Sequence, residues 1–200
     1  MRAIVVAQPT RRKRSAPTPA WQLYDGSQQR LVREGLSLVW ERYGHRALID
    51  EVLLSPWHGP LDPDRVIAPY DFSWKGRPRA EVERIVRETR VVERLQEAVA
   101  GFDLVILLLS RTYLAPLRLA EWVPATAPQR WLFFASGEGL PWLPVAANVR
   151  WVPAGVPEAR AARVKVLDLK SWLFRELCRR VVQQGEAALS AAWEGAETMR

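Results

Sequence analysis

The sequence has little cysteine and histidine and no long hydrophobic run, and each shortage excludes a class of protein. Cys178 is the only cysteine, so an intramolecular disulfide is impossible. Even with His45 and His58, the chain has too few ligands for a structural zinc site, and we expect no metal. The longest apolar run, Leu104 to Leu109, is too short to span a bilayer, so no membrane partner is expected.

The length and composition predict one globular domain over residues 1–200. The chain is 48% hydrophobic and 26% charged, as ordinary globular proteins are. A chain of this length can bury roughly 70% of its unfolded surface. The N-terminal apolar segment, Ala3 to Ala7, is too short for a signal-peptide core, and a basic run follows it. We therefore expect a cytoplasmic protein.

Positive charge is concentrated near the N-terminus. The formal net charge is +7, and residues 1–46 hold nine basic residues against three acidic ones, a difference of six. Such a local excess predicts an anionic partner. Arginine accounts for 25 of the 29 cations, which favours forked contacts to phosphate or carboxylate. A genome rich in GC would produce the same arginine bias without any function.

The hydrophobic pattern predicts an α/β fold. Short apolar runs at 3–7, 47–54, 104–109 and 131–135 are typical of strands buried on both faces, and 148–152 and 164–167 are weaker candidates. Three- and four-residue spacing predicts helices over 27–43, 79–99 and 168–192, with a shorter one over 113–122. This alternation predicts a single, mostly parallel central sheet with helices on both faces, in three layers.

Four unusual connections leave strands at the carboxyl edge of that sheet, where ligands of open α/β sheets bind. They are a basic loop near 8–20, a proline-rich loop over 55–78, the residues after Leu109, and the glycine-rich turn 136–139. We expect them to form one crevice. Its phosphate contacts would come from the cations of the basic loop: Arg11, Arg12, Lys13 and Arg14.

The other loops supply candidate catalytic and binding residues. His58 could act as a general acid or base assisted by Asp71, because an imidazole titrates near neutral pH. A histidine bonded only to backbone is the alternative. The remaining candidate ligand contacts in these loops are Ser55, Gly59, Tyr70, Gly137, Glu138 and Gly139. The turn 136–139 lacks a complete dinucleotide or P-loop pattern, so no cofactor is expected.

Two segments carry a resemblance to a known family. One runs from Arg12-Lys13-Arg14-Ser15-Ala16-Pro17 to Leu23-Tyr24-Asp25-Gly26, and the other contains His58-Gly59-Pro60-Leu61-Asp62-Pro63-Asp64 followed by Pro69-Tyr70-Asp71. Over about residues 3–115 they resemble a small bacterial family of domains of unknown function. More distantly, the chain is similar to peroxide-stress YaaA-type proteins and to a domain of archaeosine synthases, which modify tRNA.

The resemblance implies an α/β fold and dealings with nucleic acid, without agreeing on one activity. The family also has a cysteine after its first strand, where this chain reads Ala7-Gln8-Pro9-Thr10. Chemistry that needs that thiol is therefore not expected here.

Taken together, the sequence predicts a protein that binds nucleic acid or a nucleotide-like anion at the carboxyl edge of its sheet. The alternative is an enzyme that acts on a nucleobase or a small anionic metabolite through His58. A third possibility is a protein that binds a partner through exposed tryptophans.

Overall fold

The computed structural model describes residues 1–10, 13–123 and 128–198. Arg11 and Arg12, two of the predicted phosphate contacts, lie outside the described residues. The strands are β1 Ala3–Ala7, β2 Thr18–Pro19, β3 Ile49–Ser55, β4 Gly59–Leu61, β5 Val66–Ile67, β6 Leu104–Leu108, β7 Arg130–Ala135, β8 Val149–Pro153 and β9 Glu197–Thr198. The helices are α1 Ala20–Leu23, α2 Ser27–Tyr43, α3 Arg79–Glu88, α4 Val91–Val99, α5 Arg111–Leu117, α6 Val156–Ala162, α7 Leu169–Gln184 and α8 Ala187–Glu194.

The predicted three-layer α/β fold is confirmed. Seven strands form one sheet in the order β4-β3-β1-β6-β7-β8-β9, and its five central strands are parallel. The edge strands β4 and β9 pair antiparallel to their neighbours. No helix in the described ranges is long and apolar enough to cross a membrane.

The central strands are apolar throughout because each face packs under its own layer of helices. On β1, Ile4 and Val6 point into a core shared with α3, α4 and α5, whereas Ala3 and Val5 point into one shared with α2, α7 and α8. Every residue of β1 and β6 is buried. A strand covered on both sides needs no polar face, which explains the unbroken apolar runs in the sequence.

The predicted helix over 79–99 is two helices, α3 and α4. The buried side chains step by four residues from Val82 to Val86, then by five to Val91. Residues five positions apart lie on different faces of an α-helix. A continuous helix could therefore not bury Val82 and Val86 together with Val91. Arg90 breaks the helix with φ of +51°, and the Thr89 hydroxyl donates to the Ile85 carbonyl at 2.7 Å, a bond that favours bending.

Three other predicted elements differ from the structure. The helix expected over 168–192 is divided into α7 and α8 at Gly185, whose φ of +67° suits glycine best. Residues 164–167 form no strand, and a 3-10 helix spans Val166–Asp168. The proline-rich loop contains β4 and β5, and β5 pairs with β2 of the basic loop. That pairing holds the two predicted ligand loops together.

Candidate functional site

The order of the strands places a crevice between β1 and β6. In chain order, the five parallel strands lie second, first, third, fourth and fifth across the sheet, so the direction of winding reverses between β1 and β6. Ligands of such sheets bind outside the carboxyl ends of the strands at this switch point. The loops that leave the two strands are joined here, because Gln8 Oε1 accepts the Ser110 N–H at 2.6 Å.

The larger part of the crevice, here called the basic compartment, has a volume of about 810 Å³. It extends from Gln8 and Ser110 toward β7 and the start of α7. Its charged lining residues are Lys75, Arg77, Arg79, Arg111, Lys170 and Glu138. Five cations against one acid give this compartment a positive field.

Two of these cations are already paired and three are not. Arg77, just before α3, forms an ion pair with Glu81, and Arg79, at the start of α3, forms one with Glu83. In the part of the chain that the structure describes, Lys75, Arg111 and Lys170 form no ion pair. An anion entering the compartment would therefore meet three cations that form no ion pair with a carboxylate of the described residues.

A second, aromatic compartment of about 510 Å³ adjoins the first. Tyr70, Phe72 and Tyr113 give it ring surface, and Lys13 and Asp71 supply its other charges beside Lys75. The two compartments share lining residues at their junction: Gln8, Lys75, Ser110 and Thr112. The crevice is thus continuous from a ring-lined end to a cationic end.

Tyr70 is held in place by a chain of hydroxyl groups. Its hydroxyl is 2.8 Å from Ser55 Oγ and 2.8 Å from the Tyr24 hydroxyl. Burial raises the pKa of Tyr70, so the phenol stays protonated at neutral pH. Lys13 Nζ lies 4.2 Å from the centre of the Tyr70 ring, within cation–π distance.

The structure brings together only some of the residues predicted from the sequence. Lys13, Tyr70 and Asp71 line the aromatic compartment. Arg14 is exposed and lines neither compartment; its backbone N–H donates to the Leu23 carbonyl at 2.8 Å. Of the four-residue basic cluster, only Lys13 is placed at the crevice by the described part of the chain.

His58 lies next to the crevice without lining it. Its ring packs against that of Tyr70 in a T-shaped arrangement with 5.2 Å between ring centres, and it lines neither compartment. Burial lowers the pKa of His58, and the charges of Arg65 and Arg94 lower it further. The imidazole is therefore mainly neutral at pH 7, and it contacts Tyr70, which does line the aromatic compartment. Catalysis by His58 with Asp71 stays a prediction.

Ser55 and Gly59 have positions that backbone structure explains. Ser55 is fully buried and its Oγ accepts the N–H groups of Trp57 and His58, which shapes the turn after β3. Gly59 has φ of +71°, and an added Cβ would lie 3.0 Å from Arg94 Nη1. Neither residue lines the crevice.

The structure places one of the three predicted residues of the glycine-rich turn at the crevice. Residues Gly137–Trp142 form a 3-10 helix, and the Gly139 N–H donates to the Ser136 carbonyl at 2.8 Å. Neither Gly137 nor Gly139 has a positive φ. Of the predicted residues in this turn, only Glu138 lines the crevice, where it adds a negative charge.

Sequence reasoning missed the cations of the basic compartment. Lys75, Arg77 and Arg79 belong to a segment expected to be loop or helix surface, and Lys170 lies near the C-terminus. Arg111 carried a weak signal, since it follows the strand predicted at 104–109. No group of three or more potential metal ligands occurs within residues 1–10, 13–123 and 128–198.

Comparison of the chain with family models, with curated proteins and with solved structures finds no significant match. The resemblance to the bacterial family of domains of unknown function therefore stays a prediction.

Proposed function

We propose that the chain binds a nucleotide-like anion in the crevice at the carboxyl ends of β1 and β6. Phosphate would occupy the basic compartment, and the ring system would lie in the aromatic compartment. The observation that carries the proposal is the presence of Lys75, Arg111 and Lys170 at the switch point, without ion pairs among the described residues. Open α/β sheets bind ligands at this place, and a cationic lining selects anions.

The two compartments support a nucleotide rather than a bare inorganic anion. Their volumes, about 810 and 510 Å³, fall in the range of pockets that take small organic ligands. They meet at Gln8, Lys75, Ser110 and Thr112, so one molecule can extend into both. Aromatic side chains such as Tyr70 and Phe72 provide sequence-tolerant surfaces for a base.

Calorimetric titration with a nucleoside 5′-diphosphate at low salt tests the proposal. We expect saturable binding, and we expect Arg111→Gln to weaken it about tenfold or more, because hydrogen bonds to charged groups contribute about 1.5–3 kcal/mol. Arg180→Gln is the matched control, since Arg180 is exposed on α7 and lines neither compartment. Absence of binding, or equal weakening by both substitutions, would refute the proposal.

A nucleic-acid strand presents the same phosphate chemistry, and salt dependence separates the two ligands. If a short single strand neutralised the three unpaired cations, its affinity would fall with salt at a log–log slope of about −2. A nucleotide lacks the condensed counterions of a polymer and should show a shallower dependence. Catalysis by His58 has weaker support, because its ring lies outside both compartments.

A further inference from the structure

Lys170 differs from the other lysines of the chain, which are Lys13, Lys75 and Lys165. It is the second residue of α7, and it is partly buried at the wall of the basic compartment. Its Nζ donates to the Leu109 carbonyl at 2.5 Å, just beyond the end of β6. By contrast, Lys75 and Lys165 are exposed.

The surroundings of Lys170 disfavour its charged form. In the described ranges no carboxylate lies within ion-pair distance, and the buried side chains of Leu108 and Ala154 line the same compartment. The N-terminal end of α7 also places helix-dipole charge of the same sign near the ammonium. Burial accordingly lowers the pKa of Lys170 to about 8.

This environment is the one in which a lysine becomes a nucleophile. At pH 7 a lysine whose pKa is about 8 has roughly 300 times more neutral amine than an ordinary lysine whose pKa is 10.5. A neutral amine next to a cationic cavity can attack an electrophile that the cavity holds.

We propose that Lys170 is a reactive amine that condenses with the carbonyl group of an anionic aldehyde or ketone bound in the basic compartment. The inference rests on the proposed anion site, since Lys75 and Arg111 would hold the anionic group. The Nζ lone pair forms a bond to the carbonyl carbon, and the carbonyl π electrons move to oxygen. Both amine hydrogens leave with that oxygen as water, and a C=N bond remains.

Pyridoxal 5′-phosphate is a suitable probe because it carries an aldehyde and a phosphate. The full chain is incubated with it at neutral pH, the imine is reduced with borohydride, and the labelled lysines are identified by peptide mass spectrometry. We expect Lys170 to be labelled at least about tenfold faster than Lys165, in keeping with its larger neutral fraction. Inorganic phosphate should slow labelling of Lys170 and leave Lys165 unaffected.

Two comparisons make the test decisive. Lys170→Arg keeps the positive charge and should remove the main adduct, whereas Lys165→Arg should leave it in place. Mapping of the unsubstituted chain needs no variant, so it decides the matter even if Lys170→Arg fails to fold. Labelling of Lys165 or Lys75 as fast as Lys170 would overturn the inference.

The result also separates this inference from the proposed anion site. If nucleotides bind and Lys170 is not labelled preferentially, the reactive amine is refuted and the anion site stands. If Lys170 reacts equally fast with unphosphorylated pyridoxal and phosphate gives no protection, the amine is reactive but the anionic carbonyl ligand is refuted.

Discussion

Replacing Glu51 with glutamine should stabilise the protein at alkaline pH and have little effect in mild acid. Glu51 lies on β3 with 1% of its surface exposed, and its Oε1 has no hydrogen-bond partner among the described residues. Burial raises the pKa of this carboxyl to about 7, even though the positive charges of Arg33 and Arg46 act to lower it. The ionised form is therefore costly in the folded chain.

The magnitude and sign follow from the difference between folded and unfolded chains. A rise in pKa from 4.5 to about 7 corresponds to about 3 kcal/mol. Between these pH values the folded state keeps a proton that the unfolded chain has released, so stability falls as pH rises through this window. Below it the carboxyl is neutral in both states and the cost is absent. Glutamine is neutral throughout and avoids the cost.

Thermal unfolding of Glu51→Gln and the unsubstituted protein at several pH values measures this effect. We expect a gain of less than about 1 kcal/mol near pH 5 and about 3 kcal/mol near pH 8. At about 2–4 °C per kcal/mol, the second value corresponds to roughly 6–12 °C in Tm. Glu41→Gln makes the same change at an exposed position on α2 and should give no such pH trend. An equal shift in Tm at both pH values, or destabilisation at pH 8, would show that Arg33 and Arg46 satisfy the carboxylate.

The hydroxyl chain and the glycine at β4 lead to further predictions. Tyr24→Phe should lower the free energy of unfolding by about 1 kcal/mol, because it removes one hydrogen bond and the Tyr70 hydroxyl keeps its bond to Ser55. Tyr70→Phe should lower it by about 1–3 kcal/mol, because it removes the hydrogen bonds to both Ser55 and Tyr24. Equal losses in urea unfolding would contradict this order. Gly59→Ala should lower the free energy of unfolding by about 1–2 kcal/mol because of its φ of +71°, and by more because the new Cβ displaces Arg94. Gly76→Ala, with φ of +85° and open space around it, should show only the loss due to backbone conformation. Similar losses for the two glycines would show that the contact with Arg94 is unimportant. Leu107→Ala on β6 should cost about 2–5 kcal/mol in the same assay, and a much smaller loss would mean that the sheet collapses around the cavity.

The central strands could be predicted because a strand buried on both faces consists of an uninterrupted run of apolar residues. Ala3–Ala7 and Leu104–Leu108 contain only apolar residues, and both are central strands. The ends of the helices were harder to predict, although the signal for one break was present. The five-residue step from Val86 to Val91 indicates a break between α3 and α4. The three- and four-residue spacing within each of these helices nevertheless favoured one continuous helix.

The crevice was predicted at the correct edge of the sheet, but most of its cations were not. The expectation relied on residues close in sequence to strand ends, and of these Lys13, Tyr70 and Asp71 lie at the crevice. Lys170 could not be predicted in this way. It reaches the switch point because α7 packs against α2 and the sheet, and local sequence does not encode that tertiary contact.

Gln8 lies at the switch point of the sheet and links two loops there. Gln8 occupies the loop after β1. Its Oε1 accepts the Ser110 N–H, and its backbone carbonyl accepts from Gln29 Nε2 at 2.9 Å. The side-chain carbonyl at the switch point therefore holds two loops together, and an amide is neither a nucleophile nor a proton carrier near neutral pH. Covalent chemistry in this crevice would need another group, and our proposal assigns that role to Lys170, whose Nζ donates to the Leu109 carbonyl at the wall of the basic compartment.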